Sequence, residues 1–351
     1  MRSKYPPVMF IATIILSFLV FVSCKKSTDP SNGTLDWTGH GYTQSQIETL
    51  KSLEKMDDFP FYVMTYHGDY GFNDNLFTAR LMKQHYHVEI STKTVTNWAC
   101  TCFAAMGGDS NKYFGRNFDF YHRPSLILFT NPPNAFASVS MVDIYYCGYN
   151  EDTPILAPGD RAGLLNTPFY PFDGINEHGV TIGLMAVSDA QPPHDPSKRT
   201  LWDLEVIRLV LDYATSTEEA ISLIKNYNVR FGEIPLHYLI ADPTGHSAVI
   251  EFVNDRMVVI RNTEPFQVST NFILNRVIPH LAGNCWRYDT AWDELDSATG
   301  IITHQETMNI LNNVSQDNTM WSAVYNMITG DISVTVGRKY DLVHSFKLTL
   351  R

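Results

Sequence analysis

Apolar residues recur three and four positions apart in the middle of the chain, and this spacing predicts a pair of helices. Leu204, Ile207 and Leu211 fall on one face of a helix, which is typical of an amphipathic helix. Residues 216–219 have the sequence of a capping box, so a second helix is expected to begin there. A shorter stripe of the same kind predicts another helix over residues 42–56.

Short apolar runs bounded by turn residues predict strands along most of the remaining chain. Two of them, at 98–106 and 113–120, flank the turn sequence of residues 107–111 and predict a hairpin. The other predicted strands are 61–66, 125–130, 136–146, 180–187, 236–242, 247–252 and 256–261, with closing strands over 322–335 and 344–350. Strands, then a helix pair, then further strands indicate an α+β layered fold rather than an alternating parallel one.

Composition indicates an ordinary globular protein. The chain has 351 residues, 44% of them hydrophobic and 18% charged, which is enough for one large domain or two small ones with a substantial core. Its 26 Lys and Arg residues against 37 Asp and Glu residues give a net charge of −11. No basic run follows Lys26, and phosphate neutralisation needs clustered basic side chains. We therefore expect no nucleic-acid partner.

The N-terminal segment predicts export. Arg2 and Lys4 precede an apolar run over residues 8–22, and small residues end it, as in a secretory signal. The alternative is a single membrane anchor, although the run is shorter than the roughly 20 apolar residues that a membrane-spanning helix needs.

Residues 21–24 resemble a bacterial lipobox, whose cysteine is lipidated and becomes the first residue of the mature protein. The resemblance implies a lipoprotein signal peptide over residues 1–24 and a lipid anchor at Cys24. Residues 25–40 then form a polar tether. We expect a lipoprotein of the bacterial cell envelope that faces the periplasm or the cell surface, with the membrane as partner through Cys24.

The other four cysteines raise the question of chemistry. Cys100 and Cys102 lie one residue apart on a predicted strand and so share a face. A disulfide between them would be strained, and no second pair or His-rich segment with metal-ligand spacing accompanies them. We expect neither a metal nor another cofactor. Cys147 and Cys285 are expected to pack in the interior, and a disulfide between them stays open.

Cys100 is either a buried small side chain or a nucleophile. A thiol is a useful nucleophile only as a thiolate, which a nearby cation stabilises, and Arg116 on the next strand can supply that charge. If the chain were cut before Cys100, the new α-amine, whose ordinary pKa is about 8, could serve as the base. The alternative is that Cys100 packs in the core and that Arg116 and Asp119 form a structural pair.

A family resemblance favours the nucleophile. Residues 100–101 and Phe114-Gly115-Arg116-Asn117-Phe118-Asp119 resemble the start of the choloylglycine hydrolase and penicillin V acylase family, whose members are N-terminal-nucleophile amidases. Further segments similar to the family follow in the same order, at 172–180, 237–242, 247–251, 269–271, 286–288 and 321–325.

The resemblance implies a four-layer αββα sandwich with two stacked antiparallel sheets and the nucleophile on an inner strand. Cys100 would attack the amide carbonyl of a small N-acyl substrate. The resemblance implies that Arg116, Asp119 and Arg287 form a charge network around the thiolate and the amine. It also implies that Asn271 donates a hydrogen bond to the oxyanion, with a backbone N–H near Ala186 as a weaker second donor.

The segment before Cys100 is longer than in the bile salt hydrolases. It resembles the layout of the acyltransferase, acid ceramidase and N-acylethanolamine amidase relatives, which cut themselves internally. We therefore predict self-cleavage between Ala99 and Cys100. Residues 41–99 would be a pro-segment or small subunit, and residues 100–351 the catalytic domain.

Other functions stay open at the level of sequence. They are a bile salt hydrolase or penicillin V acylase proper, a non-catalytic binding lipoprotein on the same fold, and a papain-like cysteine protease. The last would need a histidine partner such as His237 or His280. Whether the protein forms homo-oligomers is also open.

Overall fold

The computed structural model describes residues 35–72, 99–153, 155–232, 234–277 and 283–351. Cys24, the signal segment, most of the tether, residues 73–98 and His280 lie outside these ranges, so the predictions made for them stay predictions. The described residues from Asp36 onward belong to one compact unit.

The first sheet has nine strands, two of which come from the segment before Cys100. In chain order these strands are β1 Glu54–Asp57, β2 Phe61–Tyr66, β5 Ser125–Thr130, β6 Ser138–Asp143, β7 Pro171–Asn176, β8 Thr181–Ala186, β11 Leu236–Ala241, β12 Ser247–Val253 and β13 Arg256–Arg261. Their spatial order is β1-β2-β5-β6-β7-β8-β11-β12-β13. Neighbours are antiparallel except β2 and β5, which run parallel.

The second sheet has six strands, and neighbouring strands in it are antiparallel. These strands are β3 Ala99–Ala105, β4 Tyr113–Asp119, β14 Phe266–Ser269, β15 Thr319–Asn326, β16 Asp331–Val336 and β17 His344–Lys347. Their order in space is β14-β3-β4-β15-β16-β17. The short strands β9 Thr200–Trp202 and β10 Asn228–Arg230 pair separately and in parallel.

Helices cover both sheets. The described α-helices are α1 Gln44–Lys51, α2 Asp203–Tyr213, α3 Thr217–Lys225, α4 Trp286–Ser297 and α5 His304–Asn313, and 3-10 helices span Ile144–Cys147, Pro158–Phe169 and Leu274–Arg276. Helices α2 and α3 pack on the first sheet, and α4 and α5 on the second. Among the described residues no helix is long and apolar enough to cross a membrane.

The two sheets pack closely face to face. A Cβ atom added to Gly183 of β8 would lie 2.9 Å from Sγ of Cys102 on β3, so no larger residue fits between the sheets there. The α+β fold with two stacked sheets is therefore confirmed.

Several predicted boundaries differ from the structure. The helix predicted over 42–56 ends at Lys51, and β1 begins at Glu54. The strand predicted over 136–146 ends at Asp143, because the Asp143 side chain accepts a hydrogen bond from the N–H of Tyr145 and caps a 3-10 helix. The segment predicted as a closing strand over 322–335 is a hairpin of β15 and β16. Helices α4 and α5 were not predicted.

Glu205 near the start of α2 makes stability depend on pH. Its Oε2 accepts a hydrogen bond of 2.7 Å from the N–H of Trp202, while its Oε1 is buried without a partner among the described residues. Burial raises the pKa of Glu205 from 4.5 to about 7. Because folding raises this pKa, the folded state binds the proton of Glu205 more tightly than the unfolded state does. The contribution of protonated Glu205 to the free energy of unfolding is complete below the unfolded pKa and is lost as the pH rises through about 7.

We therefore expect Glu205→Gln to stabilise the protein at alkaline pH. A shift from 4.5 to about 7 corresponds to about 3 kcal/mol in the free energy of unfolding. Gln at this position keeps an acceptor for Trp202 and removes the charge. Urea unfolding at about pH 8 should show most of this gain, and unfolding at about pH 4 should show almost none. An equal gain at both values would contradict the titration of Glu205.

Candidate active site

The hairpin of β3 and β4 brings the predicted nucleophile to its cation. Cys100 pairs with Phe118 and Cys102 pairs with Arg116 across the two strands. Residues that face each other in an antiparallel pair project to the same side of the sheet. The four side chains therefore share the face that packs against the first sheet, and all four are fully buried.

The Arg116 guanidinium is a fixed positive charge beside the two thiols. Its Nη1 lies 3.6 Å from Sγ of Cys102 and donates to the carbonyl of Asn117 at 3.1 Å. Burial alone would lower the pKa of Arg116, but the thiols of Cys100 and Cys102 and the carboxylate of Asp173 raise it above its ordinary value. Arg116 therefore stays charged.

Cys102 does not compete with Cys100 as a nucleophile. Burial raises the pKa of the Cys102 thiol to about 12, although Arg116 opposes the shift. At neutral pH Cys102 is therefore a protonated thiol that packs beside the guanidinium.

Asn271 holds the backbone of Cys100. Its Oδ1 accepts the N–H of Cys100 at 2.6 Å and Nη2 of Arg287 at 3.0 Å, and its Nδ2 donates to the carbonyl of Ala186 at 2.8 Å. The orientation of the amide follows from these partners, since two donors meet the oxygen and an acceptor meets the nitrogen. The N–H that Asn271 binds belongs to the Ala99–Cys100 peptide bond, which is predicted to be cut.

The contact of Ala186 with the site is through its carbonyl. The carbonyl accepts one of the two Nδ2 hydrogens of Asn271, which leaves the other hydrogen for a further acceptor.

Arg287, near the start of α4, joins the same cluster. Its Nη1 donates to the carbonyl of Cys100 and, at 3.1 Å, to Oγ1 of Thr101. Its Nη2 reaches Asn271, so both sides of the Cys100 backbone are held by side chains. The side chain is buried, which strengthens these charge-assisted bonds.

Asp119 lies opposite Ala99, at the predicted cleavage point. Its carboxylate accepts from Oγ1 of Thr319 at 2.5 Å and from Nε2 of Gln316 at 2.9 Å. Burial raises the pKa of Asp119, and these hydrogen bonds and the charges of Arg287 and Arg116 oppose that rise.

His237 supports the loop that carries Asn271. Its Nε2 lies 2.7 Å from the carbonyl of Thr270 and its Nδ1 lies 3.2 Å from Oε1 of Glu251. Glu251 in turn accepts the N–H groups of Leu274 and Asn275. Both ring nitrogens of His237 thus face acceptors, which leaves neither free to take a proton from Cys100. His237 is therefore not placed to act as the base of a papain-like cysteine protease.

Some of this cluster was not predicted. Asp173 on β7 contacts Arg116, Trp321 and Tyr325 on β15 donate to Asp173, and Glu251 pairs with His237. All four lie in segments that resemble the family, at 172–180, 247–251 and 321–325, but the motifs gave them no role in the site. Cys147 and Cys285 are free thiols, so the disulfide left open between them is absent from the structure.

Comparison with known proteins gives the same identification as the motifs. Residues 100–272 match the sequence model of the linear amide C-N hydrolases, choloylglycine hydrolase family. The bile salt hydrolase/transferase of Lactiplantibacillus plantarum is 31% identical over 182 residues, which cover 48% of this chain and 52% of that protein. The matched region thus spans about half the length of that curated relative.

Two solved structures share the fold. A mutant of the conjugated bile acid hydrolase from Clostridium perfringens has a TM-score of 0.52 at 18% identity, over 71% of this chain and 92% of that one. Penicillin V acylase from Agrobacterium tumefaciens has a TM-score of 0.54 at 17% identity, over 71% of this chain and 86% of that one. These likenesses establish the fold, and the sequence match places residues 100–272 of the chain in the choloylglycine hydrolase family of linear amide C-N hydrolases.

Proposed function

We propose that this protein is an exported cysteine amidase that hydrolyses an N-acyl amide through a thioester on Cys100. The observation that carries the proposal is the arrangement around Cys100. Its side chain lies beside a charged guanidinium, while Asn271 and Arg287 bind its backbone N–H and carbonyl. A cysteine that served only to fill the core would not need its own peptide groups held by two polar side chains.

The free α-amine would arise by self-cleavage. Sγ of Cys100 attacks the carbonyl carbon of Ala99, the C–N bond breaks, and the leaving nitrogen takes up the thiol proton to become the new amine. Water then hydrolyses the Ala99 thioester, which releases a carboxylate at Ala99 and the thiol. The N–H of this peptide donates a hydrogen bond to Oδ1 of Asn271. This hydrogen bond supports the proposal, since it orients the leaving nitrogen.

The amidase reaction repeats these steps on a substrate. The amine of Cys100 takes the thiol proton, Sγ bonds to the acyl carbon, and the proton leaves with the substrate amine. Water then hydrolyses the acyl thioester. Asp119 would hold the α-amine and Arg116 the thiolate, and Asn271 would donate to the oxyanion through the second hydrogen of Nδ2.

An aromatic cluster beside Cys100 supports an apolar acyl group. Phe118, the cross-strand partner of Cys100, stacks on Trp321 at 4.2 Å between ring centroids and contacts Phe172 at 4.9 Å and Phe120 at 5.8 Å. Aromatic side chains of this kind bind apolar ligands well and exclude water from the thioester.

A cavity of about 440 Å³ adjoins this cluster and is large enough for an acyl chain. Phe120 and Met320 are among its apolar lining residues, and the ion pair of Asp317 and Arg338 lies at its edge. Thr319, another lining residue, donates to Asp119, so the cavity borders the charge network of the site.

The acyl acceptor and the export route are also proposals. The Lactiplantibacillus plantarum relative is a bile salt hydrolase/transferase, which supports an amine as an alternative acyl acceptor to water here. The charged start, apolar run and Cys24 support a lipid-anchored protein of the cell envelope. The long segment before Cys100 supports a place near the acyltransferase and acid ceramidase branch.

A panel of three substrate classes tests the proposal: taurine-conjugated bile acids, phenoxyacetyl amides and fatty N-acyl amides. We expect release of free amine from fatty N-acyl amides and an acyl adduct on the Cys100 fragment in intact mass spectra. Cys100→Ala should give neither product. Turnover confined to the first or second class would identify a bile salt hydrolase or penicillin V acylase proper. Saturable binding without turnover of any class would favour the non-catalytic lipoprotein.

A further inference from the structure

A buried carboxylate on the first sheet faces the arginine of the site. Oδ2 of Asp173 on β7 lies 3.4 Å from Nε of Arg116 and accepts Nε1–H of Trp321 at 3.0 Å. Its Oδ1 accepts the hydroxyl of Tyr325. All four side chains are completely buried, so no solvent screens their charges.

Arg116 and Asp173 form an ion pair. Burial raises the pKa of Asp173, while the charge of Arg116 and the donors Tyr325 and Trp321 oppose that rise. Two groups that can only donate meet Oδ2, which leaves no position for a proton on that oxygen. The carboxylate therefore balances the guanidinium inside the protein.

The remaining contacts of Arg116 leave one nitrogen for the nucleophile. Its Nε meets Asp173, and its Nη1 meets Cys102 and the carbonyl of Asn117. Its Nη2 has no hydrogen-bonded partner within the described part of the chain. Cys100 is the other thiol near enough to act on the charge of Arg116. Nη2 of Arg116 is therefore available to a thiolate at Cys100, which lies on the same face of the neighbouring strand as Cys102.

We propose that Asp173 is a positioning residue that fixes Arg116 and limits the positive charge that Arg116 presents to Cys100. This inference rests on the proposed role of Cys100 as the nucleophile. A thiolate that is stabilised too strongly is less nucleophilic and leaves its thioester more readily, so full exposure to an unpaired guanidinium would favour ionisation at the expense of attack. The buried charged or titratable groups of the surrounding elements include Cys102 on β3, Arg116 and Asp119 on β4, Asp173 on β7, His237 and Tyr238 on β11, Glu251 on β12, Tyr325 on β15 and Arg287 on α4.

Asp173→Asn tests the proposal because it removes the negative charge and keeps the shape. We expect the acid limb of the pH profile of kcat/KM to move to lower pH by about one unit, as for a thiol that loses a neighbouring anion. The pH titration of thiolate absorbance, compared with that of a Cys100→Ala background, should move in the same direction. An unmoved or upward-moved limb would overturn the proposal.

Tyr325→Phe gives an independent test with an opposite expectation, should Asp173→Asn fail to fold. It removes one donor to Asp173 and leaves the carboxylate, whose charge then acts more fully on Arg116. We expect a small shift of the acid limb to higher pH. A shift to lower pH would contradict the proposal.

A second buried pair provides the matched control. Arg208 and Asp212 on α2 are also completely buried, with 3.0 Å between Nη1 and Oδ1, but they contact Ser138 and Tyr70 rather than the cysteines. Asp212→Asn should lower the thermal stability and leave the acid limb unmoved. If it moves the limb as far as Asp173→Asn does, the effect is general destabilisation and the proposal fails.

The two proposals fail in different ways. If Cys100→Ala retains amidase activity, Cys100 is not the nucleophile and the proposed function is wrong. If Cys100→Ala is inactive and Asp173→Asn leaves the acid limb in place, the proposed function stands and the role given to Asp173 is wrong.

Discussion

Cys100→Ala is expected to give one uncut chain, whereas the parent protein gives two fragments that meet between Ala99 and Cys100. The attacking sulfur is the only group in this mechanism that can open the Ala99–Cys100 bond, so its removal should abolish cleavage rather than slow it. Intact mass spectrometry of both proteins, purified in parallel, measures the outcome directly. The alanine variant should also lose all amidase activity.

Cys102→Ala is the matched control for this prediction. Cys102 lies two residues along the same strand, on the same face and equally buried, but its raised pKa of about 12 keeps it protonated. We expect Cys102→Ala to be cut between the same two residues as the parent. A parent protein that stays whole, or an alanine variant at Cys100 that is still cut, would contradict self-cleavage by Cys100.

The upstream fragment should stay bound after the cut. Strand β2 pairs with β5 at six positions in the first sheet, and its residues Phe61 and Met64 are fully buried. Burial of two such side chains stabilises the folded state by about 1.5–3 kcal/mol each. The ion pair of Asp57 and Lys339, at 2.6 Å, adds a contact to the C-terminal part. We expect the fragments to co-elute in native buffer and to separate only in denaturant.

The sequence was most informative where a strand is a continuous apolar run between turn residues. Strands β2, β5 and β13 have the predicted bounds, because in each case the run is as long as an average strand and ends at a residue that disfavours extension. In β6 the run continues past the strand end, since Asp143 caps the 3-10 helix without interrupting the apolar pattern.

Helix α4 could not be predicted in this way. Its buried residues include Tyr288, Ala291 and Leu295, which are spaced three and four apart but stand among charged and polar neighbours. Such a narrow apolar stripe becomes clear only when the helix lies on β14 and β3. The helical layer on the second sheet was therefore implied by the family resemblance and not by the periodicity of apolar residues.

The site shows the same contrast between features that a local motif predicts and features that depend on packing. The family motifs predicted Cys100, Arg116, Asp119, Asn271 and Arg287 as site residues. In the structure Asn271 and Arg287 bind the backbone of Cys100, and Arg116 and Asp119 lie on the neighbouring strand. The support of the site depends on contacts between distant positions. Asp173 is 57 residues from Arg116, and His237 is 33 residues from the carbonyl of Thr270. No local pattern in one sequence reports such pairs, because they depend on how the two sheets align.

Asn271→Ala should lower kcat of the mature enzyme by about 10²–10³-fold and leave KM nearly unchanged. The amide would act on charge that develops only in the tetrahedral intermediate, so its loss affects the chemical step and not the binding of the ground state. The same substitution removes the acceptor for the N–H of Cys100, at 2.6 Å in the uncut chain, so self-cleavage should also slow. Steady-state kinetics on any accepted acyl amide and a time course of cleavage measure the two effects.

Asn275→Ala separates this role from a general effect on the loop. Asn275 is exposed, and its link to Glu251, at 3.0 Å, runs through its backbone N–H, which the substitution keeps. We expect near-parental kcat for this variant. If both variants lose kcat equally, the loop has moved and the amide of Asn271 has no special role. If Asn271→Ala raises KM and spares kcat, the amide binds the substrate in its ground state, and the oxyanion must be stabilised by other donors.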